Sequence, residues 1–503
     1  MKKLFTLMLM AAMTMVTWAT DYDEEIIVTV NGTSSQQHGI ISVVEDGDTY
    51  TLTLKNFVLQ SEDGPMGVGN IELTGIVPQQ SATATILKAQ DNVVITEGND
   101  PSVPFWMASM LPPVPVDLVA AISGYHLRAS IHINMMETLE QIIEVTIGSG
   151  YQMRNQGFEE WHASAENYEE PNGWHSFESA TGSFVALTGH HMQKSADAHG
   201  GETSARIYST TVLFTIVANG TMTTGRMSAN AMSATDTKNN AFLDTSLTDV
   251  NGNGDPFYMP LVARPDSLVL WMKFKQGTAN ASHPFATVSA AITDGTYYQD
   301  PEDKEYNNVI ARAKNNVIAE TNGEWKRISI PFEYTDAQLD PKAILVTIST
   351  NADAGQGSNN DEVLVDDIAL VYNANVTAIT VDGNAVEGFT PEQTTYEATT
   401  EKVLTADDID ATVEGRGAHV LKTVNKTDNG YECVVEALTA DLTVLNRYVI
   451  NVKDVSDGVR TVNNRKQATA TYYTVSGQQA SVLLPGQTYI RIAADGTVTK
   501  VRR

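Results

Sequence analysis

Short runs of alternating apolar and polar residues recur along most of this chain, and the period of two is that of a β-strand with one buried face. Ser267–Lys275 puts Leu268, Leu270, Met272 and Phe274 on one side. In Arg327–Tyr334, Ile328, Ile330, Phe332 and Tyr334 alternate with Arg327, Ser329, Pro331 and Glu333. The run Val363–Tyr372 carries Leu364, Ile368, Leu370 and Tyr372 on one parity, and Asp366 falls on that same parity. A carboxylate among apolar side chains needs compensation, so a cation, an arginine or several N–H donors are expected around Asp366. The pattern predicts an all-β, multidomain protein.

The first stretch, 22–149, reads as eight or nine strands with hairpin spacing. Thr49–Leu54 alternates cleanly, and Glu45-Asp46-Gly47-Asp48 before it supplies a turn against Ile40–Val44. Further runs at Val68–Ile76, Ala82–Leu87, Asn92–Thr96, Leu118–Ile122, Leu127–Ile133 and Ile142–Ile147 fit an up-and-down barrel, whose closure removes exposed edges. Pro101–Pro115 holds five prolines with Phe105, Trp106, Met107, Met110 and Leu111 among them and is expected to be a loop. It is either a lid at the barrel mouth, with Trp106 offered to a ligand, or a plug that fills the barrel end.

Five motifs mark the middle of the chain in order: Gly157-Phe158-Glu159-Glu160-Trp161, Pro171-Asn172-Gly173-Trp174, Arg264-Pro265-Asp266-Ser267-Leu268, Trp325–Phe332 and Val365-Asp366-Asp367-Ile368. On these, 150–373 resembles the "putative carbohydrate metabolism domain" of secreted Gram-negative bacterial proteins. That resemblance implies a jelly-roll β-sandwich similar to carbohydrate-binding modules. The region 22–149 resembles the calycin-like, lipocalin-shaped barrels. Residues 375–453 resemble an Ig-like or cadherin-like β-sandwich, and 454–470 read as a polar linker. The tail 471–503, with Tyr473-x-x-x-Gly477, Pro485-Gly486-x-x-Tyr489-Ile490 and a basic end, resembles a type IX C-terminal sorting domain, with a plain terminal hairpin as the alternative.

The 503 residues exceed one hydrophobic core and suggest about three domains. A formal net charge of −29 argues against nucleic acid or an anionic membrane as partner and is compatible with a neutral glycan. Met1-Lys2-Lys3, the apolar run Leu4–Val16 and Thr17-Trp18-Ala19 have the layout of a secretory signal cleaved after Ala19, giving a secreted or cell-surface protein. The secretion machinery of the outer membrane is then an expected partner, and no later run is long enough for a membrane-spanning helix. The single cysteine, Cys433, forbids an internal disulfide and is expected to be a buried, inert thiol.

Candidate chemistry is sparse. If the first and last strands of the jelly roll lie side by side, Glu159, Glu160, Asp366 and Asp367 form an oxygen set suited to a structural calcium ion. The metal-free alternative satisfies these acids with N–H donors and Arg206 or Arg264. Asp249–Asp255 matches the first half of a calcium loop, but Pro260 stands where a bidentate Glu is needed, which favours a tight polar loop. His162, His175, His190, His191 and His199 crowd one region without the spacing of a helical zinc motif. Sugar stacking wants exposed aromatic faces, for which Trp174, Tyr297 and Tyr298 are the candidates, whereas Trp161 and Trp325 read as core. No nucleophile elbow, phosphate loop or metalloprotease motif is present. The leading expectation is a glycan-binding protein whose barrel holds a small ligand or is filled. The alternatives are a glycoside-processing enzyme with an unidentified carboxylate pair, and a structural or adhesive surface protein.

Overall fold

The computed structural model describes residues 19–456 and 471–502, apart from 32, 60–63, 166–167, 213–215, 476–477, 481, 485 and 494–495. The stretch expected to be a secretory signal, up to Trp18, and most of the expected linker lie outside the described residues. The architecture is almost entirely β, as the alternation predicts.

The N-terminal strands form one curled sheet in which each strand lies beside its chain neighbour, from Met66–Ile76 back to Ala19–Val30 and then from Gln141–Ile147 back to Pro78–Gln80. The first strand joins the last, with Ile26 opposite Ile147. Ile26, Leu87, Leu118 and Leu127 are fully buried inside it. The hairpin turns between Asp46 and Thr49, as expected. The runs at Ala82–Leu87 and Asn92–Thr96 merge into a single strand, Thr85–Val93, and Pro115 is the second residue of Val114–Ser123 rather than part of the loop.

The middle of the chain forms a two-layer sandwich. One layer has the order Met192–Ser195, Ser204–Tyr208, Glu362–Val371, Ser267–Lys275, Lys326–Pro331. The other has Thr221–Thr223, Ala343–Ser349, Ala286–Thr293, Val309–Ile318, Glu333–Tyr334. Leu268, Leu270, Met272, Phe274, Ile330 and Phe332 from the first layer meet Val288, Ile292, Ile344, Val346 and Ile348 from the second. A strand that buries Val288, Ala290 and Ile292 must turn Thr287 and Ser289 outward, and one that buries Ile344, Val346 and Ile348 must turn Thr347 and Ser349 outward. That outer face positions the candidate site. One end of it is covered by a small sheet of Arg226–Ala229, Asn239–Leu243 and Tyr298–Asp300, through Leu243 and Tyr298 packed on Ala291 and Leu345. The other end stays open.

The strand Glu362–Val371 departs from simple alternation. Val269 pairs with Ala369 but Trp271 pairs with Asp366, so one extra residue is accommodated, and Asp367 takes a left-handed φ of 45°. This bulge flips the parity. Val363 and Val365, not Leu364, share the core with Ile368, Leu370 and Tyr372. Asp366 therefore leaves the apolar face, contrary to the parity count, although it remains fully buried.

After Asn373 comes a smaller two-sheet sandwich around Val376, Ile379, Cys433 and Ile450. Cys433 is buried and free, and desolvation pushes its thiol up to about 11. This sandwich packs on the barrel: Ile86 and Ala121 meet Leu421, Leu438 and Leu442, and Lys88 pairs with Glu436 at 2.8 Å. The described tail is a three-stranded sheet of Thr471–Thr474, Thr488–Ile492 and Val498–Arg502.

Candidate ligand groove and the acidic loop site

The ends of the middle sandwich do lie together, since the Ile368 N–H donates to the Gln156 carbonyl at 3.0 Å. The glutamates are nevertheless not what compensates Asp366. Its Oδ2 accepts the N–H groups of His199 (2.7 Å) and Gly200 (3.2 Å), and its Oδ1 accepts that of Asp367 (2.8 Å). Burial pushes the carboxyl up to about 6, with these three donors pulling the other way. Glu159 is served by the same loop, through the N–H groups of Glu202 (2.8 Å) and Thr203 (3.1 Å). Asp367 accepts from the His199 ring at 2.6 Å, and Glu160 accepts from the Asn172 amide at 3.2 Å. The close approach requires Gly201 at φ +63°, where a Cβ would lie 2.0 Å from Glu159 Oε1. Neither arginine takes part: Arg206 pairs with Glu362, and Arg264 donates to the Leu339 carbonyl. An ion among Glu159, Glu160, Asp366 and Asp367 would have to displace donors already in place.

Trp174 and Tyr298 are placed differently from the expectation of an exposed aromatic face, whereas Tyr297 is exposed. Trp174 is fully buried against Phe158, with ring centroids 5.4 Å apart, so neither indole face is open to a sugar. Tyr298 is buried between the sheets and donates to Glu302. Tyr297 is exposed, with one face stacked on Phe242 at 5.7 Å. Trp106 lies across Gly67 and Gly98 at the seam between the barrel strands Met66–Ile76 and Thr85–Val93. Asn70 and Thr96 exchange backbone hydrogen bonds across that seam, and Met107 donates to Gly67. The proline-rich segment thus completes the barrel wall rather than covering its mouth. Of the clustered histidines, His190 pairs with Glu178, His191 sits between the Tyr208 and Thr188 carbonyls, and His199 stacks on Trp271.

The open end of the outer sheet face forms a groove of about 320 Å³. Its floor is Thr287 and Ser289, Lys314 and Asn316, and Thr347 and Ser349, pairs of i and i+2 residues on three adjacent strands. One wall carries Phe177, Phe184 and Leu187, and another carries Asn239, Asn240 and Met232. Parts of the floor are internally paired: Thr287 donates to Asn316 at 2.7 Å, and Ser289 donates to Asp300. Other groups are oriented but unpaired. The amides of Asn219 and Asn240 donate to the carbonyls of Asn351 (3.1 Å) and Thr237 (2.8 Å), which leaves Asn219 Oδ1 and Asn240 Oδ1 without a protein partner. The Thr347 hydroxyl also has none. Asp300 is the one carboxylate and Lys314 the one cation among the described lining residues.

The long polar connections 228–260 and 351–361, which the sequence marks as places for ligand loops, do supply part of the lining, including Met232, Asn239, Asn240 and Asn351, whereas the floor residues were not singled out by the sequence. The available signal was the polar parity of strands whose other parity is apolar, as in Thr287-x-Ser289 and Thr347-x-Ser349. It becomes informative only once the strands are known to be adjacent.

Residues 18–148 match the family model of the calycin-like beta-barrel domain. Among curated proteins none matches the chain. Two solved structures similar to it are a "putative glycoside hydrolase" from Bacteroides thetaiotaomicron and a chain from a study of carbohydrate-binding modules of the beta-sandwich superfamily. The first is 13% identical over 59% of this chain and 92% of that one, with a TM-score of 0.34. The second is 7% identical over 70% of this chain and 99% of that one, with a TM-score of 0.20. The calycin-like domain is filled by the Ile26, Leu118 and Leu127 cluster, so the groove of the middle sandwich is the stronger ligand candidate.

Proposed function

We propose that the middle sandwich binds a neutral glycan in the groove on its outer sheet face, and that the protein acts as a secreted or surface-held glycan-binding protein. The observation that carries this reading is the groove lining: hydroxyl and amide side chains in register on three strands, unpartnered oxygens on Thr347 among them and on Asn219 and Asn240 of the flanking segments, and an apolar wall on one side. A sugar ring offers the matching surface, with hydroxyls around its rim and C–H groups on its faces. Buried unpaired acceptors cost free energy that a hydroxyl-bearing ligand recovers. A volume of about 320 Å³ suits one or two sugar units, and the net charge of −29 favours an uncharged polymer over an acidic one.

Binding is favoured over hydrolysis because glycoside cleavage by the common route takes two carboxyl groups flanking the scissile bond. Among the described residues the groove supplies Asp300 alone, and it is engaged by Ser289. The charged and apolar start of the chain supports export, and the basic tail supports delivery by an outer-membrane secretion route. A glycan array probed with the full mature chain, with reducing-end release measured on every hit, tests the reading. Retention of a neutral glycan without cleavage is expected; release of reducing ends, or no hit at all, contradicts it.

A further inference from the structure

Away from the groove, a second set of buried polar atoms lacks partners. His162 and Glu170 stand opposite each other on the hairpin Trp161–Ala165 and Tyr168–Pro171 and so project to the same side. Asp249 reaches them from the loop Asp244–Phe257, which is tied by backbone hydrogen bonds from Asp249, Gly252 and Gly254. One atom each of His162, Glu170 and Asp249 lies within 4.8 Å of the other two. These buried side chains end in His162 Nε2, Glu170 Oε2 and Asp249 Oδ2, and none of the three atoms has a hydrogen-bond partner. Glu170 is fully buried and Asp249 is 4% exposed, so bulk solvent does not reach these side chains.

The other atoms of these side chains are held in place. Glu170 Oε1 accepts from the Ser176 N–H, the Ser176 hydroxyl and the Ser179 hydroxyl, which leaves Oε2 alone facing the cluster. His162 Nδ1 lies 3.1 Å from Asn172 Oδ1; Nδ1 is therefore the donor, and the Nε2 lone pair points inward. An imidazole whose far nitrogen donates to a carbonyl oxygen is the arrangement metal-binding histidines adopt. His162 Nε2 and Asp249 Oδ2 are 3.8 Å apart. Ligands on a tetrahedral ion at about 2.1 Å are separated by about 3.4 Å, so this pair needs only a small contraction, while the three residues' ligand atoms as a set lie within 4.8 Å of one another and close further on the ion. Space for the ion exists because residue 252 is glycine. A Cβ there would lie 2.1 Å from Asp249 Oδ2 and 2.9 Å from His162 Nε2.

We infer that His162 Nε2, Glu170 Oε2 and Asp249 Oδ2 form a binding site for one divalent transition-metal ion of the zinc class. The mixed imidazole and carboxylate set suits zinc, whereas calcium and magnesium prefer oxygen alone. Two carboxylates balance the ion's charge, which resolves the cost of burying both. The ion would tie the hairpin to the Asp244–Phe257 loop. Through Glu170 it would also steady the turn Ser176–Ser179, which carries Phe177 into the groove wall.

The test is metal analysis and calorimetry on the full mature chain after chelation, with zinc as the probe. One zinc per chain is expected, with a rise in melting temperature on addition. Cobalt should give the absorption of a low-coordinate site. Asp249→Asn should weaken zinc binding at least about tenfold. Gly252→Ala keeps every ligand and fills the space, and its φ is not in the left-handed region, so it should fold and still lose the metal. Absence of stoichiometric zinc, preference for calcium, or zinc binding undiminished in both variants would overturn the assignment.

Discussion

Two groups of acidic side chains in the middle sandwich answer the same problem in opposite ways. Around Asp366 and Glu159, the loop 197–203 turns its N–H groups onto the carboxylates, so every buried oxygen is served by the chain. Around Glu170 and Asp249, one oxygen of each carboxylate is left bare and faces an inward-pointing imidazole nitrogen. Residue type does not separate the two groups. What separates them is whether backbone donors can reach, and the loop with Gly200 and Gly201 can. The lesson extends to the groove, where Asn219 and Asn240 are likewise oriented by one atom and left unpaired at another, and the Thr347 hydroxyl is left unpaired beside them.

Removing Asp366 should break the first arrangement most severely. Asp366→Ala strands three N–H groups in a buried site, and a loss of about 3 kcal/mol in unfolding free energy is expected by denaturant titration. The second arrangement should respond with the opposite sign. Without metal, Asp249→Asn removes an unpaired buried charge and should raise or leave unchanged the melting temperature. With zinc at about 100 times its Kd, the wild type should gain about 2.7 kcal/mol that the variant lacks. A variant that is less stable than wild type under both conditions would place Asp249 with Asp366.

The pH dependence sharpens the comparison further. Burial raises the Asp366 carboxyl from 3.8 to about 6, so the folded state holds its proton more tightly than the unfolded state does. Its contribution to stability is fully present below pH 3.8 and is lost as pH rises through 6. The stability deficit of Asp366→Asn relative to wild type should therefore shrink as pH rises across that window. A deficit independent of pH would show that the carboxyl is not titrating there. The smallest effect is expected from Glu159→Gln, about 0.5 kcal/mol, because the side chain is partly solvated and the amide oxygen can still accept from Glu202 and Thr203.

Strand alternation made much of the fold legible, because a strand with one buried face writes its period directly into the sequence. Leu268, Leu270, Met272 and Phe274 pack as their parity requires, and so do Ile330 and Phe332. The parity count failed at Asp366 because a one-residue bulge at Asp367 leaves no mark in composition. Two of the aromatic candidates failed for a related reason. Trp174 and Tyr298 are amphipathic enough to be read either way, and burial depends on what packs over them. The groove and the zinc-class cluster draw on residues that only the fold brings together, such as Thr287 with Thr347 and His162 with Asp249. His162, His175 and the Asp249–Asp255 string each stood out separately, but nothing in their spacing could join one histidine and one hairpin glutamate to that loop.

The central claim is that unpartnered, oriented polar atoms mark where this protein takes its ligands, and the groove tests it most directly. Calorimetric titration of the full chain with a neutral glycan identified by array, repeated on Asn240→Ala and Thr347→Val, is the measurement. The account predicts that each substitution weakens binding about tenfold, about 1.4 kcal/mol, while both variants keep the wild-type melting temperature within a few degrees. Unchanged affinity in both variants, with the glycan still bound, would contradict it.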